Sequence, residues 1–364
     1  MIYFATEVQD SENASRTAGV KARDDLEVVF REKNMQPLEI PSHQSEREQA
    51  GKVSKFLWHL RARRAWSRCT GKLKNGDVLF LQFPPVERTF LMGGVVRAMQ
   101  KRGVRVVLFI HDLEILRRGR RSDVSIVSKL PLWLLEVNVL KRADRIVAHN
   151  PSMKDYLVEM GIPAERICSL EIFDYLIPGY ETHEPPRTGR ELPVIIAGTL
   201  RPHKAGYAYH LPGSVRFDLY GVGYEGEERD NIRYHGSFPP DELPYAMSGS
   251  FGLVWDGAEA ETCAGVYGEY LRINNPHKTS LYLASGFPVI VWKEAALAPF
   301  VREYGVGIET ESLTDLDRVL ASVTEEDYAA MCRRTAELSA KLRSGYFASR
   351  AIDWALEDMA AGED

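Results

Sequence analysis

What most restricts this chain is a repeated alternation of short apolar runs with amphipathic stretches, interrupted once. Apolar runs at residues 2–6, 78–83, 104–110 and 145–148 end in polar or turn residues, and helical patterns at 18–33, 86–101 and 127–140 lie between them. Alternation of this kind predicts a parallel sheet with helices on both faces. The pattern stops over residues 172–192, where Pro178-Gly179, Pro185-Pro186 and Gly189 stand among charged residues and mark a linker. A second series follows, with strands at 193–197, 216–220, 251–255, 288–292 and 307–309 and helices at 325–342 and 348–359. The expectation is an α/β chain of two Rossmann-like, doubly wound domains, residues 1–171 and 193–345, with a terminal helix in 346–364 packing back on the first. A chain of 364 residues is long enough for two separate cores. Doubly wound sheets bind ligands beyond the carboxyl ends of their strands, so two such edges facing across a cleft would hold two substrates.

Composition closes off several classes. The chain is 45% hydrophobic and 27% charged, as expected of a soluble globular protein. No apolar run reaches the roughly 20 residues of a membrane span, and the nearest, residues 130–140, contains Glu136 and Asn138. Residues 1–6 read as a first strand and not as a signal peptide. Cys69, Cys168, Cys263 and Cys332 are far apart, a pattern that suits neither a zinc site nor a disulfide framework and fits a reducing, cytoplasmic setting. Cys263 reads as a spectator thiol. Charge is segregated: residues 51–150 hold 21 Lys+Arg against 7 Asp+Glu, whereas 151–364 hold 19 against 34. Two basic clusters, Trp58 to Arg68 and Arg117 to Arg121, suit a peripheral contact with an anionic membrane surface, or simply a solvated face. Nucleic acid is not expected, because the net charge is −5 and no binding motif is present.

The densest local signal runs from Asn274 to Ile290. Asn275 is a good N-cap, Pro276 suits the first helical position, and Gly286 is a stop before the β-rich Phe287-Pro288-Val289-Ile290. The segment predicts loop, short helix, strand. Free amides and partial positive charge at such a helix start favour a diphosphate. His277 and Lys278 oppose the helix dipole unless an anion is bound there; a surface lysine beside a capping histidine is the plainer alternative. After the strand at 193–197, Gly198 permits a sharp turn, and Arg201 and Lys204 can reach phosphate oxygens. Tyr220-Gly221 ends the next strand and would border a nucleobase.

These stretches, with others along almost the whole chain, carry a resemblance. They include Gly19 to Asp25, Ile110-His111-Asp112-Leu113-Glu114, His149 to Leu157, Ile172 to Leu176, Gly252 to Gly257, Glu261-Thr262-Cys263, Gly268 to Leu271 and Asn274-Asn275-Pro276-His277-Lys278. The chain resembles the bacterial β-1,6-galactofuranosyltransferases of surface-polysaccharide assembly, and is more distantly similar to glucosyltransferases that extend sugars on streptococcal adhesins. The resemblance implies a GT-B fold, a UDP-sugar donor, inversion at the anomeric carbon, and no required metal or other cofactor. It gives the diphosphate role to the element around Asn275-Pro276-His277-Lys278 and puts Ser15, Arg16 and Thr17 in a polar loop beside the donor. After Gly198 this chain departs from the family pattern with Thr199, Arg201 and Pro202, which favours Lys204 over Arg201.

Sugar transfer needs stabilisation of a leaving diphosphate and, in inverting enzymes, a base for the acceptor hydroxyl. Asp112, in His111-Asp112 after the strand at 104–110, is the leading base, with a helix-capping carboxylate the equal alternative; Glu7 and Asp10 are reserves. Asp256, Glu261 and Thr262 are placed to discriminate sugars. Two motif readings fail. Glu261 and Glu269 have the spacing of retaining transferases but in the wrong register, and Asp315-Leu316-Asp317 follows Ser312 as a helix start and not as a metal-binding pair. Expected partners are UDP-galactofuranose or another UDP-hexose, a glycan or glycolipid acceptor, and a second copy of the chain. A UDP-glucose or UDP-galactopyranose transferase, a UDP-sugar epimerase and a non-catalytic sensor are the competing readings.

Overall fold

The computed structural model describes residues 1–9, 18–42, 52–119, 133–184, 186–227 and 229–357. The chain forms two compact units: Met1–Ser15 with Leu26–Leu170 and Ser349–Asp364, and Arg16–Asp25 with Glu171–Ala348.

The first unit contains β1 (Ile2–Gln9), the second half of α1 (Ala18–Glu32), β2 (Gln36–Ser42), α2 (Lys52–Thr70), β3 (Val78–Phe83), α3 (Met92–Gln100), β4 (Arg105–Ile110), α4 (Glu114–Gly119), β5 (Arg145–Ala148), α5 (Pro151–Glu159) and β6 (Ile167–Ser169). Its six strands pair in parallel in the order β2-β1-β3-β4-β5-β6. Every residue of β3 and all but the first of β4 are buried, as expected for strands covered on both faces. Pro37 and Pro41 are tolerated in β2 because it is an edge strand. Those prolines and its polar alternation hide it from the apolar pattern.

α3 starts later than expected. Its forerunner, residues 84–91, is a loop because Pro84 and Pro85 lack amides and Glu7 accepts from the amides of Val86 (2.7 Å) and Glu87 (2.5 Å). In α2, Trp58, Ala62, Trp66 and Thr70 are buried at four-residue spacing, whereas Arg61, Arg63, Arg64 and Arg68 are exposed. The tryptophans therefore pack inward, and only the arginine face is open to a charged surface. Among the described residues no helix is long and apolar enough to cross a membrane.

The second unit contains β7 (Val194–Thr199), α6 (Pro202–Ala205), β8 (Phe217–Val222), β9 (Ile232–Tyr234), β10 (Gly252–Val254), α7 (His277–Ala284), β11 (Val289–Trp292), β12 (Gly307–Thr310), α8 (Glu325–Arg343) and the start of α9 (Tyr346–Glu357). Its parallel sheet runs β12-β11-β10-β7-β8-β9. Leu219, Leu253, Trp255, Ile290 and Leu316 sit in one core, where each aliphatic side chain contributes roughly 1.5–3 kcal/mol over exposure. α7 is keyed to this sheet by Tyr282. Its hydroxyl accepts from the Ala197 amide at 2.6 Å, and its ring lies so close to Gly252 that a Cβ there would fall 2.1 Å away.

Residues 171–176 pack within this unit. Asp174 accepts from the amides of Phe347 (3.2 Å) and Ala348 (2.6 Å) at the start of α9, and the Tyr175 amide donates to the Leu342 carbonyl at 3.1 Å. The first turns of α1 join it: Lys21 Nζ pairs with Asp25 (2.8 Å) and Asp241 (2.7 Å) and donates to the Leu176 carbonyl.

Candidate active site

The carboxyl edge of the second sheet gathers most of the expected donor residues. α7 begins one position later than the sequence suggests. Pro276 is its N-cap, without a side-chain cap bond, and the helix runs His277–Ala284. Asn275 instead donates from its side-chain amide to the Glu171 carbonyl at 3.0 Å, tying down the preceding loop. The amides of His277 and Lys278 come before any turn of the helix that could accept from them, so they remain at its positive end.

Lys278 reaches back to the end of β10. Its Nζ donates to the Trp255 carbonyl at 2.6 Å and to Asp256 Oδ1 at 2.9 Å. Both partners of the ion pair are largely shielded, with side chains 16% and 13% exposed.

His277 supplies no charge, contrary to the sequence expectation. Among the described residues neither ring nitrogen is open to solvent or makes a well-formed hydrogen bond, and the ring centroid lies 5.0 Å from that of Tyr175 and 6.0 Å from that of Phe173. Burial lowers its pKa to about 4, Lys21 pushes the same way, and the Asp174 main chain offsets this only in part. The helix start thus carries one cation, and the imidazole packs as a neutral ring. Asn274 Oδ1 and Thr279 Oγ1 are also buried without a partner among the described residues. Polar atoms of three neighbouring residues thus collect at this helix start without a partner among the described residues.

Gly198 and Gly221 are paired across β7 and β8. A Cβ on Gly221 would fall 1.7 Å from the Gly198 carbonyl oxygen, and the two φ angles are +150° and +133°, so both strand ends require glycine. Arg201 is exposed, its stem against Gly223, where a Cβ would come within 2.4 Å of Arg201 Cγ. Lys204 is half-buried, and its carbonyl accepts from the Gly257 amide at 3.1 Å, which sets the 201–204 turn beside Asp256. Tyr220, expected to border a nucleobase, is buried and stacks on His235 at 4.6 Å and 5°, so its ring face is already covered. Glu261 is exposed and Thr262 half-buried after β10. Ser15, Arg16 and Thr17, with Asp10, lie outside the described residues.

At the carboxyl edge of the first sheet, Asp112 follows β4. Oδ1 accepts from the Leu113 amide at 2.9 Å, and Oδ2 lies 3.3 Å from the Arg117 guanidinium. The side chain is 33% exposed. Arg117 also pairs with Glu114, so this member of the second basic cluster is neutralised; Arg120 and Arg121 lie outside the described residues. His111 donates its amide to the Phe83 carbonyl at 2.7 Å.

Two residues here were not singled out from the sequence as site components. Glu136, in a π-helical turn at Trp133–Val137, accepts from the amides of Glu114 (2.9 Å) and Ile115 (2.8 Å) and so fixes the turn that carries Asp112. Burial drives its carboxyl up to about 7, against the pull of the Ile115 amide and Arg88. His149 is fully buried, with main-chain hydrogen bonds at Ile110 and His111, and burial lowers its pKa to about 4. Glu7 is corrected to a clamp: its two oxygens hold the loop after β3 and are not free to act as a base. Only the motif Ile110 to Glu114 and the His149-Asn150-Pro151 stretch hinted at this arrangement. In the latter, Asn150 caps α5 by accepting from the Met153 amide.

Residues 3–172 match the N-terminal domain and residues 194–355 the C-terminal domain of glucosyltransferase 3-like proteins. The β-1,6-galactofuranosyltransferase WbbI of Escherichia coli is 32% identical over 362 residues, 98% of this chain and 99% of its own. The chain belongs to the glucosyltransferase 3-like family of glycosyltransferases. Among solved structures, the sucrose-phosphate synthase of Thermosynechococcus elongatus superposes with a TM-score of 0.64 at 12% identity, covering 100% of both chains. HepE of Anabaena in complex with UDP gives 0.53 at 12% identity over 98% of this chain and 99% of that one. The two Rossmann-like domains of this transferase are accordingly those of the GT-B fold.

Proposed function

We propose that this transferase moves galactofuranose from UDP-galactofuranose to a sugar hydroxyl of a surface glycan or glycolipid, with inversion. The observation that carries the reading is end-to-end kinship with a β-1,6-galactofuranosyltransferase, at 32% identity over 98% of the chain. The geometry fits it. Among the described residues, the start of α7 offers two amides without an acceptor, one ammonium and a set of unmet polar atoms at a carboxyl sheet edge, the place where a nucleotide diphosphate is held in doubly wound domains.

In this mechanism the acceptor oxygen attacks the anomeric carbon as its bond to the diphosphate oxygen breaks. Negative charge grows on the leaving UDP, and Lys278 with the amides of His277 and Lys278 stabilises it. Gly198, Gly221, Arg201 and Lys204 line the same edge and supply close backbone approach and further cations. Asp112 takes the acceptor proton; Glu136 and His149 hold its turn. No metal is required in this reading, so turnover should survive EDTA. The arginine face of α2 is the surface on which we place contact with anionic lipid.

The test is a donor-by-acceptor assay with mass spectrometry and NMR of the product. Transfer of a β-linked galactofuranosyl residue supports the proposal. Transfer from UDP-glucose alone would favour the glucosyl reading that the family name suggests, and UDP-sugar conversion without acceptor would point to an epimerase.

A further inference from the structure

We infer that Asp256 is a positioning residue that presets Lys278 for the leaving diphosphate; the inference rests on the donor site proposed above. An ammonium has three N–H donors. In Lys278 two of them are engaged, by the Trp255 carbonyl at 2.6 Å and by Asp256 Oδ1 at 2.9 Å, which leaves one without an acceptor among the described residues. Two fixed acceptors of different kind, one main-chain and one carboxylate, determine where Nζ sits before any substrate arrives.

Asp256 is itself held. The neighbouring Gly257 amide donates to the Lys204 carbonyl, and Gly257 has φ +118°, with the Ala264 carbonyl oxygen 2.6 Å from where a Cβ would be. The Asp256 carbonyl oxygen lies 3.0 Å from where a Cβ on Gly268 would stand, so the main chain that carries the carboxylate is tightly packed. A flexible lysine stem otherwise loses rotamer freedom on being fixed. In this structure Nζ already has both acceptors, and preorganised donors are the ones that stabilise developing charge.

The carboxylate also opposes the bound anion, so its sign of effect separates two roles. If Asp256 only neutralised Lys278, removing its charge would tighten UDP. If it positions Lys278, Asp256→Asn, which keeps an acceptor, should bind UDP within about threefold of the native protein, whereas Asp256→Ala should lose about tenfold or more.

Calorimetric titration of UDP, UMP and uridine into the full-length protein, Asp256→Asn, Asp256→Ala, Lys278→Met and the Asp256→Ala/Lys278→Met double variant tests this. We expect Lys278→Met to lose at least tenfold in UDP affinity and the double variant to lose no more than Lys278→Met. Uridine affinity should be unchanged throughout, which also certifies that the variants fold. With UDP-sugar, Asp256→Ala should lower kcat more than it raises KM, and Asp256→Asn should restore most of kcat. Tighter UDP binding by both Asp256 variants, or additive losses in the double variant, would overturn the positioning role. Unchanged UDP affinity in Lys278→Met would instead overturn the donor site on which it rests.

Discussion

The two sheet edges of this transferase are built from the same strand–helix units but treat charge in opposite ways. In the second unit the charge at the proposed donor site is a lysine, paired with one carboxylate and one carbonyl at the positive end of a helix. In the first unit the charges are carboxylates, and most are committed to main-chain amides: Glu7 to the loop after β3 and Glu136 to the start of α4. Glu136 is buried and Glu7 half-buried, whereas Asp112, held by Leu113 and Arg117, is 33% exposed. On the function proposed above, one edge is arranged to receive an anion, while the other uses acids bound to main-chain amides to shape its loops and presents a single carboxylate.

The largest effect that would sharpen or break this contrast is at Asp112. We expect Asp112→Asn to lower kcat by about 10²–10⁴, the range of general-base catalysis, and to leave UDP affinity intact. Near-normal turnover in a product assay would remove Asp112 from the chemistry. Next, Lys278→Met should lower kcat/KM by about 10²-fold, the scale of one preorganised donor to developing charge; steady-state kinetics with saturating acceptor reads this directly.

A smaller effect separates the edges by pH. Burial raises the Glu136 carboxyl from 4.5 to about 7, so the folded state resists its ionisation. The stability tied to this group is fully present below its unfolded pKa and is lost as pH rises through 7, by up to about 3 kcal/mol for such a shift. Asp25, raised to about 6 in the second unit, acts in the same direction over a lower window. Glu136→Gln should therefore flatten, without abolishing, the fall in urea-unfolding stability between pH 5 and 8. An unaltered profile would show that Glu136 is not the buried acid inferred here. The smallest effect belongs to His277. Because its ring is neutral and packed on Tyr175, His277→Phe should change UDP affinity by no more than about threefold, and a tenfold loss would restore a direct ligand role.

Much of the fold was legible because strands covered on both faces are continuous apolar runs: β3, β4, β7 and β11 announce themselves. β2, β6 and β9 did not. β2 carries two prolines at a sheet edge, and the other two have three residues each, too few for a pattern. At the site, the loop–helix–strand around Lys278 was readable from Pro276 and Gly286, since backbone constraints leave marks in residue type. The neutrality of His277 and the covered face of Tyr220 were not readable, because each depends on rings distant in sequence: Tyr175 for one and His235 for the other. The roles of Glu136 and Glu7 were hidden for a related reason. A carboxylate that accepts from amides 21, 22, 79 or 80 residues away leaves no local spacing to find.

The most direct test is a crystal structure of the full-length protein with UDP. We expect the diphosphate to lie at the first turn of α7, with a phosphate oxygen within hydrogen-bonding distance of Lys278 Nζ and of the His277 or Lys278 amide. A nucleotide ordered elsewhere, with the Lys278–Asp256 pair untouched and no anion at that helix start, would contradict the account.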